Sequence, residues 1–282
     1  MIVGKTKKTK KIFIFLLSAA ILAASCVTVT AAGNAVLQAD SMNYDPKSRS
    51  VTAEGNVRFK SPDGEISGDR GIGYTDGGSF EMEGRVRGRF AAQSMDITCD
   101  FIMLERAADG KQIITARGSV RVSRDDGTIA AGEIEWELES DNYSAGGGVL
   151  IDFGSYMVDS DEASRNGNRF RARNIRRYED RARRMIITAQ EADGLIERGD
   201  IVELIAEGGV AMNIAEVRGS STRITGNRGV FSRDRGTLVI SGGASASQEG
   251  RSVRAANIVY HIDSGRVEAI GDRPSIAFEM RD

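Results

Sequence analysis

Along most of the chain after residue 35, apolar and polar residues alternate with a period of two, and clusters of Asp, Gly, Pro and Ser interrupt the runs. In "ADSMNYDPKSRSVTAEGNVRF" (39–59), Met42, Tyr44 and Val51 fall on one face, while Ser41, Asn43 and Asp45 fall on the other. Such alternation marks half-buried β-strand. The interruptions "DPKS", "DGGS", "ESDN", "DRG" and "DSG" are tight-turn sequences, so each pair of runs reads as a β-hairpin. No long stretch carries helical periodicity. The pattern predicts an all-β protein.

The hairpins repeat. A glycine phrase recurs as AEGNV (Gly55), MEGRV (Gly84), ARGSV (Gly118), GGGV (Gly147), AEGGV (Gly208), ISGGA (Gly242) and AIGDR (Gly271). Its steps are 29, 34, 29, 61, 34 and 29 residues, the long one leaving room for a degenerate unit. About eight units of two strands predict about sixteen antiparallel strands, with the glycine at a bulge or corner between layers. Each unit opens with a small and a polar residue, then an apolar–x–aromatic pair: Met42/Tyr44, Ile72/Tyr74, Ile134/Trp136 and Ile258/Tyr260. By the two-residue period these eight share one face, which would line either a groove or a closed core. A parallel β-helix would have shorter rungs with several corners, and a β-propeller needs four strands per repeat. An antiparallel sandwich or elongated jelly roll fits better.

The first thirty-odd residues belong to something else. Five lysines up to Lys11 precede the uncharged apolar run Ile12–Ala24, and small residues follow, as in a secretory signal. We expect a leader at 1–32, cleaved after Ala32, and a single domain at 33–282. Lipidation of Cys26 within "LAASC" and an uncleaved anchor are the alternatives. Without the five lysines, 33 basic and 40 acidic side chains leave a net charge of −7, unlike a general nucleic-acid binder. Only Cys99 then remains, so no internal disulfide forms.

Catalytic chemistry is sparse. His261, the single histidine, sits at a hairpin turn, and Cys99 alternates like a buried strand residue. We expect no catalytic residues, no metal site and no cofactor. One stretch departs from the pattern: residues 159–184 hold nine arginines, and "RARNI" there aligns with "RAANI" at 254–258. Within it Arg169, Arg171, Arg173, Arg176 and Arg177 are candidates for phosphate contact, because guanidinium forks bind phosphate bidentately. The competing account is a solvated strand whose charges resist aggregation.

"LQADSMNYDPKSRSVTAEGNVRF", "IVELIAEGGVAM" and "AANIVYHIDSGRVEAIGDRPSIAF", the last with a G-x-x-P ending, resemble the OstA-like domain of LptA-type lipopolysaccharide-transport proteins. The resemblance implies a periplasmic β-jellyroll, open along one side like a shell, that holds lipopolysaccharide or a related amphiphile by its acyl chains. It also implies strand-edge pairing with inner-membrane LptC-type and outer-membrane LptD-type domains, and self-association end to end. The groove candidates are then the eight apolar residues named above. An exported structural or adhesive repeat protein without lipid cargo is the other function class.

Overall fold

The computed structural model describes residues 29–31, 35–74, 78–215, 221–271 and 273–278. Apart from Val29–Ala31, the expected leader lies outside these residues, as does Cys26. The strands are β1 (Val29–Ala31), β2 (Ala35–Gln38), β3 (Ser41–Asp45), β4 (Ser50–Lys60), β5 (Glu65–Tyr74), β6 (Ser79–Phe90) and β7 (Met95–Arg106). Then come β8 (Gln112–Arg124), β9 (Gly127–Glu137), β10 (Tyr143–Gly146), β11 (Val149–Phe153), β12 (Tyr156–Ser160), β13 (Glu162–Asn166) and β14 (Arg169–Asp180). The last are β15 (Met185–Glu197), β16 (Asp200–Ala215), β17 (Ser221–Ser232), β18 (Thr237–Gln248), β19 (Arg251–His261), β20 (Arg266–Ile270) and β21 (Ser275–Phe278). A short 3₁₀ turn at Ala91–Gln93 is the one helical element among the described residues.

Every pairing is antiparallel, and each rung bonds to the next in chain order. From β4 to β9 and from β14 to β19 one strand makes one rung. Elsewhere two short strands share a rung: β2 with β3, β10 with β11, β12 with β13, and β20 with β21. Counted so, the meander has sixteen rungs, the number expected from the repeats. β1 adds a short pairing to β2.

Each rung breaks register near its middle. In β4 the shift lies between Glu54 and Val57, in β6 between Glu83 and Val86, and in β16 between Glu207 and Val210. These are the glycine phrases. Gly55, Gly84 and Gly118 have φ of 76°, 77° and 78°, and Asn56, Arg85 and Ser119 after them stay left-handed. On the neighbouring rung a polar side chain presses against each glycine: Asp40, Asp69 and Asp100. A Cβ on Gly84 would lie 2.5 Å from Asp69 Oδ2. The repeated glycine and the repeated polar residue are two sides of one corner. In the degenerate unit Asn174 takes the left-handed role at φ 51° and donates to Asp161 at 2.9 Å. Asparagine is among the few residues that tolerate this conformation.

The corners fold the meander into two layers. Val51 and Phe59 are eight residues apart on β4, about 26 Å of extended strand. Yet Phe59 in the second half-rung stacks on Phe80, whose first-layer neighbours include Gly73, at 4.1 Å. The inner faces form one apolar core, with Met82, Ile102, Ile114, Met212, Ile240 and Ile258 fully buried. A void within it, between Val158, Phe170, Ile175, Tyr178, Ile187 and Leu204, holds about 10 Å³. That is room for one water molecule at most and far too little for an acyl chain. The layers are shut on each other.

Candidate functional site

The interior runs along the whole stack, and six of the eight expected groove residues face it. Ile134, Trp136, Ile258 and Tyr260 are buried, Met42 packs against the core, and Tyr44 lies 51% exposed on the same face of the terminal rung. Ile72 and Tyr74 point the other way: Ile72 pairs with Thr52 and Glu81, while Gly71 pairs with buried Ala53 and Met82. Counted from the corner residue, the second and fourth positions turn inward: Met42/Tyr44 after Asp40, Ile134/Trp136 after Gly132, Ile258/Tyr260 after Ala256. After Asp69 those positions are Gly71 and Gly73, and Phe80 fills their space. The missing side chains shift the visible apolar pair by one residue and so to the opposite face.

The arginine stretch forms outer-face rungs. Arg171 bonds Asp193 at 2.8 Å, Arg173 bonds Glu162 at 3.3 Å, and Arg177 bonds Glu179 at 2.8 Å. Arg176 bonds Asp159, Asp161 and the Ser160 carbonyl. Arg169 is exposed at the start of β14. Apart from Arg177–Glu179 within β14, these are solvated cross-strand pairs, each stabilising only weakly. Arg171 and Arg173 also line an outer-face cleft of about 550 Å³, together with Arg117, Glu133 and Glu135. None of the five lies on the inner face.

Opposite the corners, the hairpins of the two layers meet along a mouth. Gln112 Nε2 donates to Asp63 Oδ2 at 2.6 Å, joining turns 49 residues apart. Farther along, Arg124 bonds Asp141 at 2.6 Å, and Arg165 approaches the same carboxylate at 3.4 Å. Ser155 donates across to Asp200 at 3.2 Å, and beside it Arg233 bonds Asp200 from the neighbouring hairpin at 2.9 Å and Arg183 bonds Asp180 within its own turn at 2.5 Å. Just inside lie Tyr143, Tyr156 and Tyr178, all buried. Burial pushes the Tyr156 phenol up to about 12 and raises Tyr143 and Tyr178 as well, so all three are neutral hydroxyls at physiological pH. At Asp141 burial acts upward, but the hydrogen bond and charge of Arg124, with Arg165, bring the carboxyl below its usual range. The hydrogen bond from Arg233 lowers Asp200. Sequence reasoning missed this mouth. Its arginines stand singly beside turn carboxylates, and only the folding of one layer over the other gathers them.

At the two ends the sheet edges are open, except where β1 pairs with β2. Among the described residues β3 has no partner on its outer edge, and neither β20 nor β21 has one beyond β19. Tyr44 and Ile276, exposed to 51% and 60%, mark those ends with apolar surface. The edge backbones are templates for a further strand.

The remaining chemistry is local. Burial, with Asp100 adding to it, pushes the Cys99 thiol up to about 12, so it is not a nucleophile. His261 lies within 3.3 Å of Glu268 at the last hairpin.

Residues 104–266 match the family model described as the LptA/(LptD N-terminal domain) LPS transport protein. Among curated protein sequences none matches the chain. A solved structure similar to it is LptH of Pseudomonas aeruginosa, described as the LptA-homologous periplasmic component of the lipopolysaccharide transport device. The similarity is 15% identity over 55% of this chain and 94% of that one, with a TM-score of 0.31. The family match spans more than half of the 282 residues, and it is a family of transport proteins rather than enzymes. The chain belongs to the LptA/LptD N-terminal domain family of lipopolysaccharide transport proteins.

Proposed function

We propose that this chain is a periplasmic bridge element that holds lipopolysaccharide by its acyl chains between the two layers and hands it from the inner toward the outer membrane. In this reading residues 1–32 direct export and 33–282 carry the cargo. The observation that supports it is the apolar interior, continuous along sixteen rungs and flanked by open edges at β3 and at β20/β21. Edge strands β3 and β20/β21 would pair with LptC-type and LptD-type domains or with further copies, joining one interior to the next. Each acyl methylene moved from water into such an interior gains about 0.8 kcal/mol. Entry requires the layers to part at the mouth, where polar contacts rather than strand pairing hold them. Mass spectrometry of lipid co-purifying after gentle extraction tests the reading. Lipopolysaccharide at near-stoichiometric amount supports it, and a lipid-free folded protein contradicts it.

A second reading, an exported structural repeat protein without cargo, is favoured by the filled interior and its 10 Å³ void. It predicts that no amphiphile ever separates the layers.

A further inference from the structure

We propose that Arg124, Arg165, Arg183 and Arg233 at the mouth form a phosphate-recognition site for the anionic head of the cargo. The inference rests on the carrier reading and adds where the head is held. Side-chain exposure separates these four from the rest. They are 27%, 27%, 24% and 29% exposed, whereas Arg181 is 37% exposed and Arg171, Arg173, Arg176 and Arg177 are 45% or more. They stand where the apolar interior ends, at the depth of the junction between acyl chains and a phosphorylated sugar.

Their partners fall short of their donors. Asp141 serves both Arg124 and Arg165, and Asp180 and Asp200 serve Arg183 and Arg233. Arg233 Nε is buried with no hydrogen-bond partner among the described residues. A buried unmet donor is destabilising and is relieved by an incoming acceptor oxygen. Two of the guanidiniums are held over rings, Arg124 5.8 Å from the Trp136 centroid and Arg183 5.5 Å from that of Phe231. Held so, they keep planar N–H edges for the bidentate geometry that phosphate accepts. The neutral Tyr143, Tyr156 and Tyr178 hydroxyls supply further donors beneath them. The outer-face arginines lack this setting: they are solvated, and Arg171 and Arg173 are matched to carboxylates across the strands.

The test is binding of the full exported chain to diphosphorylated lipid A and to its dephosphorylated form, with inorganic phosphate as a competitor. Wild type should prefer the phosphorylated lipid by about tenfold or more, the scale of one charge-assisted hydrogen bond. Arg165→Gln with Arg233→Gln should erase the preference, so that the phosphorylated lipid binds no tighter than the dephosphorylated one. Arg171→Gln, the same charge change on the outer face, should keep it. If the glutamine variant loses thermal stability, Arg124→Lys and Arg165→Lys retain the charge opposite Asp141 but not the fork. Each should lower the preference by several-fold. Equal binding of both lipids by wild type overturns the head site and leaves the carrier reading standing; binding of neither overturns the carrier reading and the inference with it. Loss of preference in Arg171→Gln instead also overturns it. Millimolar inorganic phosphate binding at the mouth without displacing lipid A would assign the site to free phosphate and overturn the lipid-head assignment.

Discussion

At each corner a single residue decides whether the chain can turn. Gly84 has φ 77°, and its neighbour Asp69 holds Arg85 through two hydrogen bonds of 3.1 and 2.7 Å. Gly84→Ala therefore suffers twice, from the backbone and from a Cβ placed 2.5 Å from the carboxylate. We expect a loss of about 2–3 kcal/mol in urea denaturation. Gly148→Ala, at φ 86° with open space around it, should cost about 1 kcal/mol. Equal costs would mean that the corner is not packed as described. Glu137 gives a pH-dependent counterpart. Lys111 donates to it first, then Ser140 and Asn142, and together they lower its pKa to about 2 from an unfolded 4.5. A depressed carboxylate stabilises the fold above its unfolded pKa and loses that contribution as pH falls through the folded value. The wild-type advantage in Tm over Glu137→Gln should be full above pH 4.5 and vanish toward pH 2. An advantage that persists at pH 2 would refute this role.

Among elements, the rungs were legible in the sequence because alternation, turn residues and the glycine phrase all report strand geometry locally. What was not legible arises from contacts across the fold. The inward positions Gly71 and Gly73 carry no side chain to announce themselves, so the apolar pair Ile72/Tyr74 misled the face assignment. The arginines of β14 read as a basic cluster, but the carboxylates that meet Arg171, Arg173 and Arg176 sit on β12, β13, β15 and the β12–β13 corner, and only Arg177 finds its partner, Glu179, within β14. The mouth could be seen only after the layers closed. The terminal rungs, by contrast, follow from order alone: the first and last strands of a meander must be edges. Deleting β21 (Ser275–Phe278) should abolish concentration-dependent association in sedimentation velocity while leaving the melting profile of the remaining rungs intact. Unchanged association of the shortened chain would move the docking edge elsewhere.

For the whole molecule the question is whether the closed interior opens to hold acyl chains. Three tyrosines make the comparison with little change in side-chain type. Tyr44 faces the interior at one end, Tyr260 faces it, buried, in the rung next to the other end, and Tyr74 faces the opposite side at 37% exposure. A photo-crosslinking benzoyl-phenylalanine replaces each in turn, and cells producing the protein are irradiated. The account predicts lipopolysaccharide adducts at positions 44 and 260 and none at 74. Adducts at 74 equal to those at 44 and 260, or none at either interior position in a protein that still folds, would contradict it.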